Sequence, residues 1–317
     1  MLVTASREDI RKIGEPLSLL INSTSWNDPD FDIRRSGALT IVAHLAYCAV
    51  GSDERKHPHR AKVVPCHAYQ RLVVAEDFDF IEVMSSGGLD FAGTGVVRTK
   101  RFVAIIVPVP WKNMILIGVR GTQFAYDWAI NLRIGKRQVF DDVKFHAGFY
   151  DEAEKLVALI SELLVGKHKV FLDKPDRKIF FAGHSLGGAV AAVMSQWGGS
   201  LRAGGCYTYG SPRVCPASTM RAMLQPFATR RALDIVPHCP PSLFNYANFK
   251  IELDPAGAPF KSADRLEMYF FVSWILSLTI SSFLENHSME HYRAEVLEIA
   301  RQQPSVQPHW KYPALAP

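Results

Sequence analysis

The pentapeptide Gly183-His184-Ser185-Leu186-Gly187 has the G-x-S-x-G pattern of a nucleophile elbow. Such an elbow needs a buried strand that turns sharply into a helix, with the serine on the turn. Residues 179–182 read as the strand, and the small-residue run after Gly188, over 189–197, reads as the helix. Glycines two positions either side of the serine remove β-carbons where backbone must pass close by, and the turn strains the serine's dihedrals. The helix start behind it offers unpaired N–H groups and a positive dipole end to a developing oxyanion. The chemistry this suits is acyl transfer through a serine nucleophile. A serine hydroxyl is weak at neutral pH, so it needs an imidazole base oriented by a carboxylate. Chains built on such an elbow run in the order Ser, acid, His. The downstream histidines are His238, His287, His291 and His309, and the acids to weigh are Asp234, Asp254 and Asp264.

These groups need a scaffold. Residues 103–107 and 115–119 are short apolar runs rich in β-branched side chains, as strands buried on both faces require. Residues 151–164 place Ala153, Leu156, Val157, Ile160, Leu163 and Leu164 on one helical face, and residues 37–50 show helical spacing at Ala38, Ile41, Val42 and Leu45. Strand, helix, strand, turn and helix in succession predict an α/β chain with a largely parallel sheet. Residues 228–233 read as a further strand with Asp234 at its C-terminal edge, where open parallel sheets place their sites. His238 follows Asp234 too closely to reach back, and His309 sits in a Pro-rich tail. The whole chain, 1–317, reads as one domain, with 1–40 a polar arm and 300–317 the tail.

Composition narrows the classes. Thirty-six Lys and Arg against 31 Asp and Glu give +5, a mild excess with no basic block and no interleaved aromatics, so nucleic acid is not an expected partner. Five scattered cysteines suit reduced thiols better than a disulfide framework. Residues 1–15 lack the apolar core of an export signal, so the expected location is cytoplasmic, or exported without a cleavable signal. His57, His59, Cys66 and His67 lack zinc-site spacing, and neither a P-loop nor a dinucleotide fingerprint is present; no metal or cofactor is implied.

Several motifs in order resemble one family, the class 3 or fungal-lipase-like lipases. Val119-Arg120-Gly121-Thr122 followed by Asp127-Trp128 and Asn131-Leu132 is similar to the family's R-G-T…D-W…D-L segment. His146-Ala147-Gly148-Phe149 resembles H-x-G-F, and Gly183 to Gly188 resembles G-H-S-L-G-G. Tyr209-Gly210-Ser211-Pro212-Arg213-Val214 is similar to F-G-x-P-R-V, Asp234-Ile235-Val236-Pro237 to D-x-V-P, and His287-Ser288-Met289 with Tyr292 to H-S-M…Y. Asn131 stands where the family usually has Asp, and Cys215 where it often has Gly. The ordered set, with the strands leading into it, runs from Val103 to Tyr292 and covers about 60% of the chain.

The resemblance implies an α/β-hydrolase fold, a mostly parallel central sheet with helices on both faces. It implies a catalytic triad of Ser185, Asp234 and His287, favouring His287 over its neighbour His291. It also implies an oxyanion hole made by Thr122 and the Leu186 amide. The expected activity is lipase-type hydrolysis of acyl-ester lipids through an acyl-enzyme. A phospholipase A1, a short-chain esterase, and a lipid-binding protein on an inactive hydrolase fold are the alternatives. Residues 269–284 are 16 residues without a charge, about 24 Å as a helix and too short to span a membrane. They read either as a buried helix or as a helix facing the acyl pocket and a lipid surface.

Overall fold

The computed structural model describes residues 7–49, 95–99, 101–121, 135–140, 142–172, 176–197, 203–260 and 286–302. Seven strands form the main sheet: β1 (Gly95–Arg98), β2 (Val103–Val109), β3 (Met114–Arg120), β6 (Lys178–His184), β7 (Ala203–Tyr209), β8 (Phe227–Thr229) and β9 (Glu252–Leu253), hydrogen-bonded in that order. The β1–β2 and β2–β3 pairs are antiparallel; β3, β6, β7, β8 and β9 run parallel. A separate hairpin pairs β4 (Lys136–Phe140) with β5 (Val143–His146). The helices are α1 (Arg7–Ser23), α2 (Ile33–Cys48), α3 (Ala147–Leu172), α4 (Leu186–Met194), α5 (Ala217–Ala222) and α6 (Met289–Gln302).

The uninterrupted apolar strands have a simple cause. Side chains alternate across a strand, and here both faces are covered. Ile105, Leu116, Phe180 and Tyr207 pack with α1, α2 and α6. Ile106, Ile117, Phe181 and Cys206 pack with α3 and α4 on the opposite face. Helices on both faces of a mostly parallel sheet with an elbow at its centre make the α/β-hydrolase arrangement, as the motifs implied.

Three readings of the sequence need correction. The supposed arm over 1–40 contains α1 and the start of α2, which begins at Ile33 rather than residue 37. Ile13, Leu17, Leu20 and Ile21 bury one face of α1, a stripe that the charges and Pro16 obscure. Arg35 also disguised α2: its guanidinium is buried, but the carbonyls of Ser25 and Asp30 accept its hydrogen bonds. The strand expected over 228–233 ends at Thr229, because Asp234 turns the chain by accepting from the Val236 amide. The tail expected from residue 300 starts no earlier than 303, since α6 runs to Gln302.

Among the described residues no helix is long and apolar enough to cross a membrane. The 269–284 stretch, His309 and the His57, His59, Cys66 and His67 clusters lie outside the described residues.

Candidate active site

Ser185 stands between the end of β6 and the first residue of α4. Its φ of 58° and ψ of −136° fall in a region that residues with a β-carbon rarely occupy. The turn is held from several sides. The Ser185 amide donates to the Tyr209 carbonyl at 3.0 Å, and the Ser185 carbonyl accepts from Gly188 at 2.9 Å. A β-carbon on Gly187 would come within 2.4 Å of the Val119 carbonyl oxygen, so only glycine lets α4 press this closely on β3. The helix expected after Gly188 therefore starts at Leu186, directly behind the serine.

At the end of β3, Gly121 faces the first turn of α4. Its β-carbon position is 3.2 Å from the amide nitrogens of both Leu186 and Gly187. The Leu186 amide and the segment leading into Thr122 thus share one locus, although Thr122 itself lies outside the described residues, as do Asp127 and Asn131.

Asp234 and His287 meet beside this turn. The Nδ1 of His287 donates to Oδ2 of Asp234 at 2.9 Å, with Asp234 1% and His287 6% exposed. The other carboxylate oxygen accepts from the Val236 amide at 3.0 Å. Gly210 joins the pair to the serine. It follows Tyr209, whose carbonyl holds the Ser185 amide, and its φ is +57°. Its β-carbon position lies 2.6 Å from Asp234 Oδ2 and 3.1 Å from the His287 ring. A glycine is required there twice over, by conformation and by space.

The rival residues have other duties. The His238 Nε2 accepts from the Arg230 guanidinium at 2.7 Å, and Arg230 also pairs with Glu252 at 2.7 Å. Asp254 caps its own turn by accepting from the Ala258 amide. His291 lies on α6, half-buried, four residues beyond His287. Asp264 is outside the described residues.

Four side chains around the pair were given no role on sequence grounds. Tyr292 donates its hydroxyl to Asp234 Oδ2 at 2.6 Å, and burial beside that carboxylate raises its pKa well above the usual tyrosine value, keeping it a donor. Arg231 donates to the Asn286 carbonyl at 2.8 Å and pairs with Glu295 at 2.8 Å, tying the loop before His287 to α6. His184 Nε2 lies 2.8 Å from the His287 carbonyl, and the Tyr47 hydroxyl lies 2.8 Å from the other nitrogen of the His184 ring. Tyr292 and His184 sat inside recognised motifs, which was the available signal; Tyr47 and Arg231 carried none.

Residues 116–244 match the family model for class 3 lipases. Over this segment the chain is similar to the class 3 lipases. A curated relative, secreted mono- and diacylglycerol lipase 1 of Fusarium solani, is 30% identical over 175 residues, which are 52% of this chain and 51% of the relative. The chain thus spans about half the length of the curated relative it matches. Among solved structures, similarity extends to a lipase of Rhizopus microsporus var. chinensis at 20% identity, covering 70% of this chain and 74% of that one with a TM-score of 0.47. The lipase–propeptide complex of Rhizomucor miehei is similar at 22% identity, with 70% and 67% covered and a TM-score of 0.45. The segment similar to the class 3 lipases includes Gly121, Thr122, Ser185, Leu186 and Asp234; His287 and Tyr292 lie beyond it and join the site through the fold.

Proposed function

We propose that this chain is a lipase-type acyl-ester hydrolase working through an acyl-enzyme on Ser185. One observation carries the reading: a strained serine at a helix N-terminus donates its amide to the Tyr209 carbonyl, and the next residue, Gly210, abuts a buried His287–Asp234 pair. In this mechanism the Ser185 hydroxyl attacks the ester carbonyl while His287 takes its proton. His287 then returns that proton to the leaving alcohol, and water, activated by the same imidazole, releases the acid. Asp234 holds the Nδ1–H tautomer of His287 and stabilises the imidazolium. The Leu186 amide and Thr122 bind the oxyanion, one such donor being worth on the order of 3 kcal/mol of barrier. The name of the Fusarium relative supports acylglycerols as the substrate class.

The test is active-site labelling joined to a substrate panel. A fluorophosphonate should modify Ser185 and nothing else, and Ser185→Ala should lose both labelling and turnover. Diacylglycerol and triacylglycerol should be cleaved ahead of phosphatidylcholine and of an acetate ester. Preference for phosphatidylcholine would make the chain a phospholipase, and preference for acetate a short-chain esterase. Absence of any adduct on Ser185 would end the enzyme reading.

A further inference from the structure

His184 is the variable residue of the elbow, and its ring spans two parts of the chain. Its Nε2 lies 2.8 Å from the backbone carbonyl of His287, and its Nδ1 lies 2.8 Å from the hydroxyl of Tyr47 on α2. The ring is 4% exposed and stacks on the His287 ring with centroids 4.6 Å apart and planes at 32°. A carbonyl oxygen can only accept, so Nε2 carries the proton. Nδ1 of the neutral ring is then an acceptor, and the Tyr47 hydroxyl must donate to it. Donors and acceptors therefore run one way, from Tyr47 on α2 through His184 to the loop that carries the base.

We propose that Tyr47 and His184 act as a positioning strut, fixing the backbone of His287 relative to Ser185 and tying it to α2. The inference rests on the acyl-hydrolase reading of the site. Its logic is geometric. The Asp234 bond fixes one edge of the His287 ring, Arg231 holds the preceding Asn286 carbonyl, and the strut adds a bond at the His287 carbonyl itself. It also selects the tautomer of His184, because only an Nε2–H ring satisfies both partners. Burial and the neighbouring His287 push the pKa of His184 well below its usual value, which keeps the ring neutral and its Nδ1 able to accept.

Tyr47→Phe keeps the ring and removes only the donor. On a short soluble p-nitrophenyl ester it should lower kcat roughly tenfold with KM within about twofold, and slow fluorophosphonate labelling of Ser185 in proportion. His184→Phe keeps the stack and loses both hydrogen bonds, and should cost roughly a hundredfold in kcat. His184→Gln restores an N–H to the His287 carbonyl and should recover most of that loss at an unchanged melting temperature. Long-range proton–nitrogen spectra of the histidine rings supply an arm independent of turnover. The wild-type protein should show, among its histidine rings, an Nε2–H imidazole signal that is absent in His184→Phe and that loses its fixed tautomer in Tyr47→Phe. A wild-type kcat in Tyr47→Phe with an unchanged tautomer would overturn the strut. A wild-type protein that cleaves no ester and takes no label would sink the hydrolase reading instead, and the ring spectra would still decide the strut by the same criterion.

Discussion

The Tyr292 hydroxyl lies 2.6 Å from Asp234 Oδ2, the oxygen that also accepts from His287. One carboxylate oxygen thus serves two donors, while its twin is held by the Val236 amide. The carboxylate cannot rotate without breaking several bonds at once. Asp234→Asn should leave the fold nearly intact and lower kcat by on the order of 10⁴, since an amide neither stabilises an imidazolium nor enforces the tautomer. Tyr292→Phe should cost much less, roughly tenfold, the scale of one hydrogen bond to a charged group. Steady-state kinetics on both variants checks the ranking, and equal losses would show that Tyr292 does more than steady the acid.

His287 and His291 separate cleanly by kinetics. His287→Ala should reduce kcat by at least about 10³, because removing the proposed general base would leave only the oxyanion site and binding. His291, on α6 and away from Asp234, should tolerate alanine with most activity kept. The opposite outcome would move the base to position 291.

Gly210 makes a steric prediction. A methyl group there would sit 2.6 Å from Asp234 Oδ2 on a backbone with φ of +57°, so Gly210→Ala must displace the acid, the base or itself. The expected result is a loss of at least about a hundredfold in kcat, as misplacement of a reacting group by about 1 Å can produce. Thermal unfolding should show a loss of about 1–3 kcal/mol from the strained conformer. Normal turnover in this variant would mean that the pair does not work in the arrangement described.

His146 gives a stability prediction. It is 1% exposed beside Phe149, and among the described residues neither ring nitrogen has a hydrogen-bond partner. Burial pushes its pKa down to about 4. In the unfolded chain the ring titrates near 6.5. As pH falls below about 6.5 the unfolded state gains a proton that the folded state refuses, so stability drops until pH nears 4 and then levels. The loss at pH 5 is on the order of 2 kcal/mol. His146→Phe removes that titration while keeping a ring against Phe149, so its melting temperature should fall less between pH 7 and pH 5. An identical pH slope in the variant would show that His146 ionises freely when folded.

The sequence by itself determined the central strands and the elbow that carries Ser185. Apolar runs without alternation can only be strands covered on both sides, and Ser185 between a buried strand and a small-residue helix can only be an elbow; both are local patterns. Motif order implied Asp234 and His287. The contact between them, across 53 positions, is a property of the fold, because a carboxylate's partner is set by where β8 ends and where α6 begins. The same holds for what spacing could not show. α1 reads as a polar arm until its apolar stripe meets α2, and Arg35 reads as a surface charge until carbonyls enclose it. Tyr47 carries no signal because its only distinction is its place, 137 positions from His184 and 2.8 Å from its ring. Local periodicity records which side of an element faces the core; only tertiary packing decides which polar group that side will meet.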